Sequence, residues 1–296
     1  MDFSRLIELS NRYCAQLTQE GDELPGLSIY HRTAPSQASD VEAYIYEPVL
    51  CLVLQGCKSA ALRNREVTLE PGHALLVSHD LPVVSRIITA SEHEPYLAVI
   101  LSLDLQLVRS LYAEIADLPI PDADVHSFTT ALAEETWVAP LVRYLELVDN
   151  PMDARALGPS ILREIHYRLL LSSVGGMLRR FLFAESHESR IALAIQKLRQ
   201  DYCSTVQVDA LAKTVGMSTS SFHEHFKAVT GSTPLQYQKD LRLIEARGLL
   251  TALKRTVAEA AYTVGYQSPN HFSRDYSRKF GVSPSKDCGT VTGVAE

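Results

Sequence analysis

Nowhere does this 296-residue sequence approach the ~18 uninterrupted apolar residues of a membrane-spanning helix. The apolar run Val49 to Leu54 has the length of a buried strand instead. Its five cysteines (Cys14, Cys51, Cys57, Cys203, Cys288) are an odd number with no Cys-x-x-Cys pair, which removes zinc-ribbon and thioredoxin-type chemistry. Scattered thiols of this kind fit a reduced, cytoplasmic setting. The N-terminus sets Asp2, Arg5 and Glu8 on an amphipathic pattern, unlike a secretory leader. A glycine-rich phosphate loop and a Gly-x-Ser-x-Gly elbow are both missing. None of the cysteines has the clustered basic neighbours that activate a thiolate for repair chemistry. Nothing here points to an enzyme.

What is present is ordinary for a soluble fold: 46% hydrophobic and 21% charged residues. The length suits two domains. The net charge of −7 hides a split, because from His187 onward fourteen Lys/Arg face ten Asp/Glu, a balance of +4. The preceding residues hold 14 Lys/Arg against 25 Asp/Glu, or −11. One end is therefore suited to phosphate and the other is not.

Leu24 to Leu103 reads as short strands: Leu27–Tyr30, Ala43–Tyr46, Val49–Gln55, His73–Ser78, Val83–Thr89 and Tyr96–Leu103. Pro48, Gly56, Pro71, Gly72, Pro82 and Pro95 punctuate them. Such spacing predicts a sandwich or small barrel. The period then turns helical. Asp104 is placed to cap a helix to about Ala116, and further helices are expected over Val138–Val148, Ser160–Ser172 and Arg190–Tyr202. Gly175 and Gly176 interrupt this pattern, and Ala184–Ser189 reads as a linker. A barrel metalloenzyme would need three or four converging His/Glu ligands. Here His73 and His79 stand six apart, His31 and His93 are isolated, and His223 and His225 lie on one helix diverging by about 200°. No metal and no cofactor is expected, and a cupin-type metalloenzyme with a second, appended domain ranks behind the reading developed below.

The last ninety residues contain a repeat. Val208, Leu211, Ala212, Val215, Gly216, Phe222, Phe226, Gly231 and Pro234 recur as Val257, Ala260, Ala261, Val264, Gly265, Phe272, Tyr276, Gly281 and Pro284. The offset is 49 residues up to the inner glycine and 50 after it, so one residue is inserted in the second turn. In the first copy Val208, Leu211, Ala212 and Val215 make one buried stripe of a two-turn helix. Gly216 sits where a left-handed residue ends that helix. Ser218 and Ser268 are placed as N-caps, and Pro269 suits the first helical position. A short helix, a glycine turn and a second anchored helix describe a helix-turn-helix. Two matching copies argue against an unrelated helical hairpin.

Thr233 and Pro234 open a helix from Leu235 to about Leu253 between the copies, in which Gly248 is expected where two helices pack closely. Such a helix spans ~28 Å, against ~34 Å between successive major grooves. Opposite the phenylalanine anchors, Ser220, His223, Glu224 and Lys227 share one arc of the first recognition helix. Asn270, Ser273 and Arg274 lie in the matching arc of the second, with Arg278 just beyond it. Arginine pairs bidentately with guanine, asparagine with adenine, and a carboxylate accepts from cytosine. These eight residues are the candidate DNA contacts.

The stretch from Arg190 to Pro284 resembles the AraC/XylS family of bacterial transcription regulators. Gly216, Met217 and Ser218, Arg242, Ala246 and Arg247, Val264 to Tyr266, and Phe280 to Pro284 carry that likeness. Two departures are Ala260, where a larger aliphatic is usual, and Ser285 to Cys288, which lack the aromatic-arginine ending. The N-terminal half is similar to the effector-sensing region of one branch, through Leu52 to Gly56, Lys58, Glu94 to Leu97 and Leu162 to Leu169. The expected fold class is α+β: a cupin-like β-barrel with following helices over residues 1–185, then an all-α domain of two helix-turn-helix units over 186–296. The resemblance implies duplex DNA, RNA polymerase and a small-molecule effector as partners, self-association as a homodimer, and activation of transcription. Tyr46, His79 and Arg86, on or beside candidate strands, are the expected effector contacts.

Overall fold

The computed structural model describes residues 2–17, 24–36, 42–62, 65–115, 127–182 and 186–287. A first helix, α1 (Ser4–Leu17), precedes eight strands: β1 (Leu27–Arg32), β2 (Glu42–Tyr46), β3 (Val49–Gln55), β4 (Cys57–Leu62), β5 (Arg65–Leu69), β6 (His73–Val77), β7 (Leu81–Thr89) and β8 (Tyr96–Ser102). Then come α2 (Leu105–Ile115), β9 (Phe128–Leu132), α3 (Glu135–Glu146), α4 (Pro151–Leu171) and α5 (Gly176–Leu182). The strands form two antiparallel sheets, ordered β1-β8-β3-β6-β9 and β2-β7-β4-β5. They face each other without closing, so the expected barrel is realised as two separate sheets.

Side-chain alternation explains the layering. Strand β3 is buried along both faces, as only a sheet covered on both sides requires. Cys51 and Val53 join Leu75, Val77, Tyr96 and Ala98 in the core between the sheets. Leu50, Leu52 and Leu54 point the other way, against Leu9, Trp137, Leu141, Ile165 and Leu169 of the helices. The outer face of the second sheet is covered as well: Ala43, Ile45 and Val84 pack into the core of the C-terminal half.

Several elements differ from the sequence reading. Strands β4, β5 and β9 were not expected, and α3 begins at Glu135 rather than Val138. Helix α4 starts at Pro151, capped by Asn150, and runs through Pro159, whereas the sequence reading began it at Ser160. Pro159 removes one internal hydrogen bond, but a helix packed on α3 tolerates that loss. Asp104 caps α2 as expected, accepting from the Gln106 and Leu107 amides at 2.9 and 3.0 Å.

The C-terminal half is helical: α6 (His187–Gln200), α7 (Val208–Thr214), α8 (Thr219–Thr230), α9 (Pro234–Thr251), α10 (Val257–Thr263), α11 (Pro269–Phe280) and α12 (Pro284–Asp287). Helix α6 is capped by Ser186 and so takes in part of the expected linker Ala184–Ser189, of which residues 184 and 185 lie outside the described residues. Helix α9 lies against β2 and β7.

Candidate nucleic-acid interface

Helices α7 and α8 form one helix-turn-helix and α10 and α11 a second, with α9 between them. Each recognition helix, α8 and α11, is built alike. Ser218 caps α8 by accepting from the Ser221 amide at 3.3 Å, and Ser268 caps α11 by accepting from the His271 amide at 3.4 Å. Gly231 and Gly281 end the two helices in the left-handed region, at φ 69° and 74°. Phe222, Phe226, Phe272 and Tyr276 are fully buried. The inner turns share a positive φ but not an environment. A side chain at Gly216 would meet nothing closer than Arg190 at 3.9 Å, whereas one at Gly265 would lie 2.1 Å from the Cys203 carbonyl oxygen.

With the anchors buried, the opposite faces are fixed. Ser220, His223, Glu224 and Lys227 of α8 are exposed, as are Asn270, Arg274 and Arg278 of α11. Ser273 is half-buried, and its hydroxyl donates to the Pro269 carbonyl at 2.8 Å. Arg278 leans 3.5 Å toward the buried Asp275, and Arg274 Nε donates to the Asn270 carbonyl at 3.4 Å. Glu224 makes no hydrogen bond or ion pair among the described residues. His223 is exposed, while His225 stacks on His187 with ring centroids 3.8 Å apart, so the two side chains serve different surfaces.

What holds the two units together was not read from the sequence. Arg242 of α9 donates to the carbonyls of Tyr202, Cys203 and Ser204 at 2.7, 2.9 and 2.9 Å. It also donates to the carbonyl of Gly265 in the second unit's turn, at 3.1 Å. Lys279 of α11 pairs with Asp240 of α9 at 2.8 Å. Arg247 meets the buried Asp287 at 2.9 Å, and Tyr276 donates to the same carboxylate at 2.6 Å. Asp287 thus occupies a packed, bonded position where the family's aromatic-arginine ending is missing. The only hint in the sequence was that these arginines sit on the helix between the repeats.

The expected effector residues are not brought together. Tyr46 lies between the sheets, where Lys58 Nζ donates to its hydroxyl at 3.0 Å and stands over the Tyr30 ring. The Tyr96 hydroxyl is buried nearby, beside Cys51. Arg86 is exposed on the outer side of β7. His79 is buried at the seam between the halves, its ring edge-on to Phe181. Burial pushes His79 down to about 3. Among the described residues no three His, Cys, Asp or Glu side chains cluster as a metal site would require.

The two halves are tied by the turn between β6 and β7. Asp80 accepts from Arg199 of α6 at 2.7 Å, and its backbone carbonyl accepts from the Tyr237 hydroxyl of α9 at 2.7 Å. Glu47 completes the Arg199 pair, and Ser127 donates to the Val229 carbonyl of α8.

Comparison with known proteins agrees with this anatomy. A profile of the AraC-type transcriptional regulator N-terminus matches residues 23–177, and one of a helix-turn-helix domain matches residues 211–287. The HTH-type transcriptional activators RhaS of Salmonella schwarzengrund and of Escherichia coli are each 33% identical over 150 residues, 50% of this chain and 51% of theirs. The chain thus spans about half the length of the curated relatives it matches. Vibrio cholerae ToxT, solved with an unsaturated fatty acid bound, superposes with a TM-score of 0.58 at 14% identity, covering 94% of this chain and 99% of that one. A second ToxT structure gives 0.55 at 14% identity, over 90% and 98%. At that identity the likeness is one of fold. The N-terminal profile alone covers more than half of the sequence, and the chain belongs to the AraC-type transcriptional regulators.

Proposed function

We propose that this chain is a cytoplasmic, sequence-specific activator of transcription and not an enzyme. In this reading residues 1–185 sense a small-molecule effector and self-associate, and residues 186–296 bind duplex DNA and contact RNA polymerase. The observation that carries it is the pair of recognition helices, locked to one connecting helix with their polar faces free. Helix α9 has 18 residues, a length of about 27 Å. With the width of the flanking units, that length suits grooves ~34 Å apart. One chain then reads two adjacent major grooves through Ser220, His223, Glu224 and Lys227 of α8 and through Asn270, Ser273, Arg274 and Arg278 of α11.

The basic balance of the C-terminal half supports attraction to phosphate, and RhaS, described as an activator, supports the direction of regulation. Selection of bound sequences from a random duplex pool tests the reading. The expected result is a consensus with two blocks one helical turn apart. An unselective pool would refute it. Sedimentation of the full chain with and without DNA tests the homodimer.

A further inference from the structure

A cavity of about 530 Å³ opens at the seam between the two halves, within the size range of small-molecule sites. Its walls are mainly apolar and come from both sides: Leu178, Phe181 and Leu182 of α5, and Ala192, Leu193 and Ile195 of α6. His79 and Asp80 of the β6–β7 turn and Arg109 of α2 add the polar groups that bear on its selectivity. Asp80 is already engaged by Arg199, while Arg109 is exposed and makes no ion pair among the described residues. The cavity therefore offers one uncommitted charge, and it is positive. His79 places Nδ1 3.2 Å from the Ser78 hydroxyl, and its Nε2 is buried without a partner among the described residues.

We propose that this seam cavity is the effector site, and that it takes a compact apolar molecule bearing a single carboxylate. The apolar body lies between α5 and α6, and the carboxylate faces Arg109. The position explains how occupancy reaches the DNA-binding half. His79 lines the cavity, and its chain neighbour Asp80 holds α6 through Arg199 and α9 through Tyr237. A ligand that shifts His79 moves the one turn that grips both a scaffold helix of the first unit and the helix joining the two units. The polar cluster around Lys58, by contrast, lies between the sheets and lines no part of this cavity. The proposal rests on the regulatory reading above and locates its effector.

The test uses the full chain, with benzoate, phenylacetate and 4-phenylbutanoate and the carboxamide of each as probes. Binding is read by calorimetry, and operator affinity is measured with and without each probe. At least one acid is expected to bind saturably and to change operator affinity, with its carboxamide weaker by about tenfold. Arg109→Gln should remove that preference for the acid, and Ala192→Trp, which fills the cavity, should abolish binding of both forms. Both positions are at least partly exposed, and circular dichroism checks that the variants fold. Equal binding of acid and carboxamide overturns the ligand class, as does saturable binding by no acid. An acid that still binds and still changes operator affinity in Ala192→Trp overturns the seam site while leaving effector control intact.

Discussion

The Arg242 guanidinium donates to the Gly265 carbonyl at 3.1 Å, joining the helix between the two units to the turn of the second. The same side chain takes up three carbonyls that follow α6 in the first unit. One planar cation thus sets the register of both recognition helices, a geometry that an ammonium does not reproduce. Arg242→Lys should destabilise the chain by ~1–3 kcal/mol, because partly buried carbonyls lose their donors. Chemical denaturation measures it. Operator binding should weaken more than binding by a variant altered in only one recognition helix.

The glycines of the repeat separate by environment. Gly216→Ala should cost ~1–2 kcal/mol, the strain of a left-handed residue alone. Gly265→Ala should cost more, because its new methyl would collide with the Cys203 carbonyl 2.1 Å away. Gly248 reverses the sign. The sequence suggested close helix packing there, yet among the described residues nothing beyond the local backbone of α9 lies within 4 Å of where a side chain would start, and the residue is exposed. Gly248→Ala should stabilise by ~0.4–1 kcal/mol. Thermal melts of the three variants give the order directly.

Acid should destabilise the fold before carboxylates titrate. A histidine near 6.5 when unfolded takes up a proton that buried His79, pushed down to about 3, refuses. His166 shifts in the same direction through burial, its Nε2 accepting from the Asp104 amide at 3.0 Å. The unfolded state therefore binds more protons below pH ~6.5, and stability present above that pH is lost as pH falls. Each histidine contributes at most ~1.4 kcal/mol per pH unit. Denaturation midpoints should drop between pH 7 and 5, with a shallower slope in His79→Phe. A flat profile would remove the buried neutral histidines from the account.

Glu224 and Arg274 hold equivalent places on the two recognition helices. Arg274→Ala should weaken operator binding by ~1–3 kcal/mol if it pairs with guanine, with little loss on random DNA. Glu224 has no cationic partner among the described residues, so its carboxylate is free to accept from cytosine. Glu224→Ala should relax preference at one base pair while leaving or raising non-specific affinity. Binding to all four bases at each operator position decides both.

How far the sequence disclosed this structure depended on the range of the interactions. The tandem units were legible because their anchors, caps and terminators act within a few turns: Phe222 and Phe226, Ser218, Gly231 and their second copies. Strand β4 was not, because its inward side carries Lys58 beside Ala60 and Leu62, which blurs the apolar alternation. The residues expected to contact an effector scattered for a related reason. Tyr46, His79 and Arg86 all lie on or near strands, but Tyr46 faces inward, Arg86 outward, and His79 sits in the turn between β6 and β7. The tie of Asp80 to Arg199, 119 positions apart, has no local signature at all.

The central claim is that one chain fills two adjacent major grooves, and hydroxyl-radical footprinting of the full chain on a selected operator tests it most directly. The account predicts that each bound chain protects two patches on one face of the duplex, centred about 10 base pairs apart. Arg274→Ala should erase one patch and Glu224→Ala should alter the other. A single patch, or two whose spacing changes with protein concentration, would contradict it.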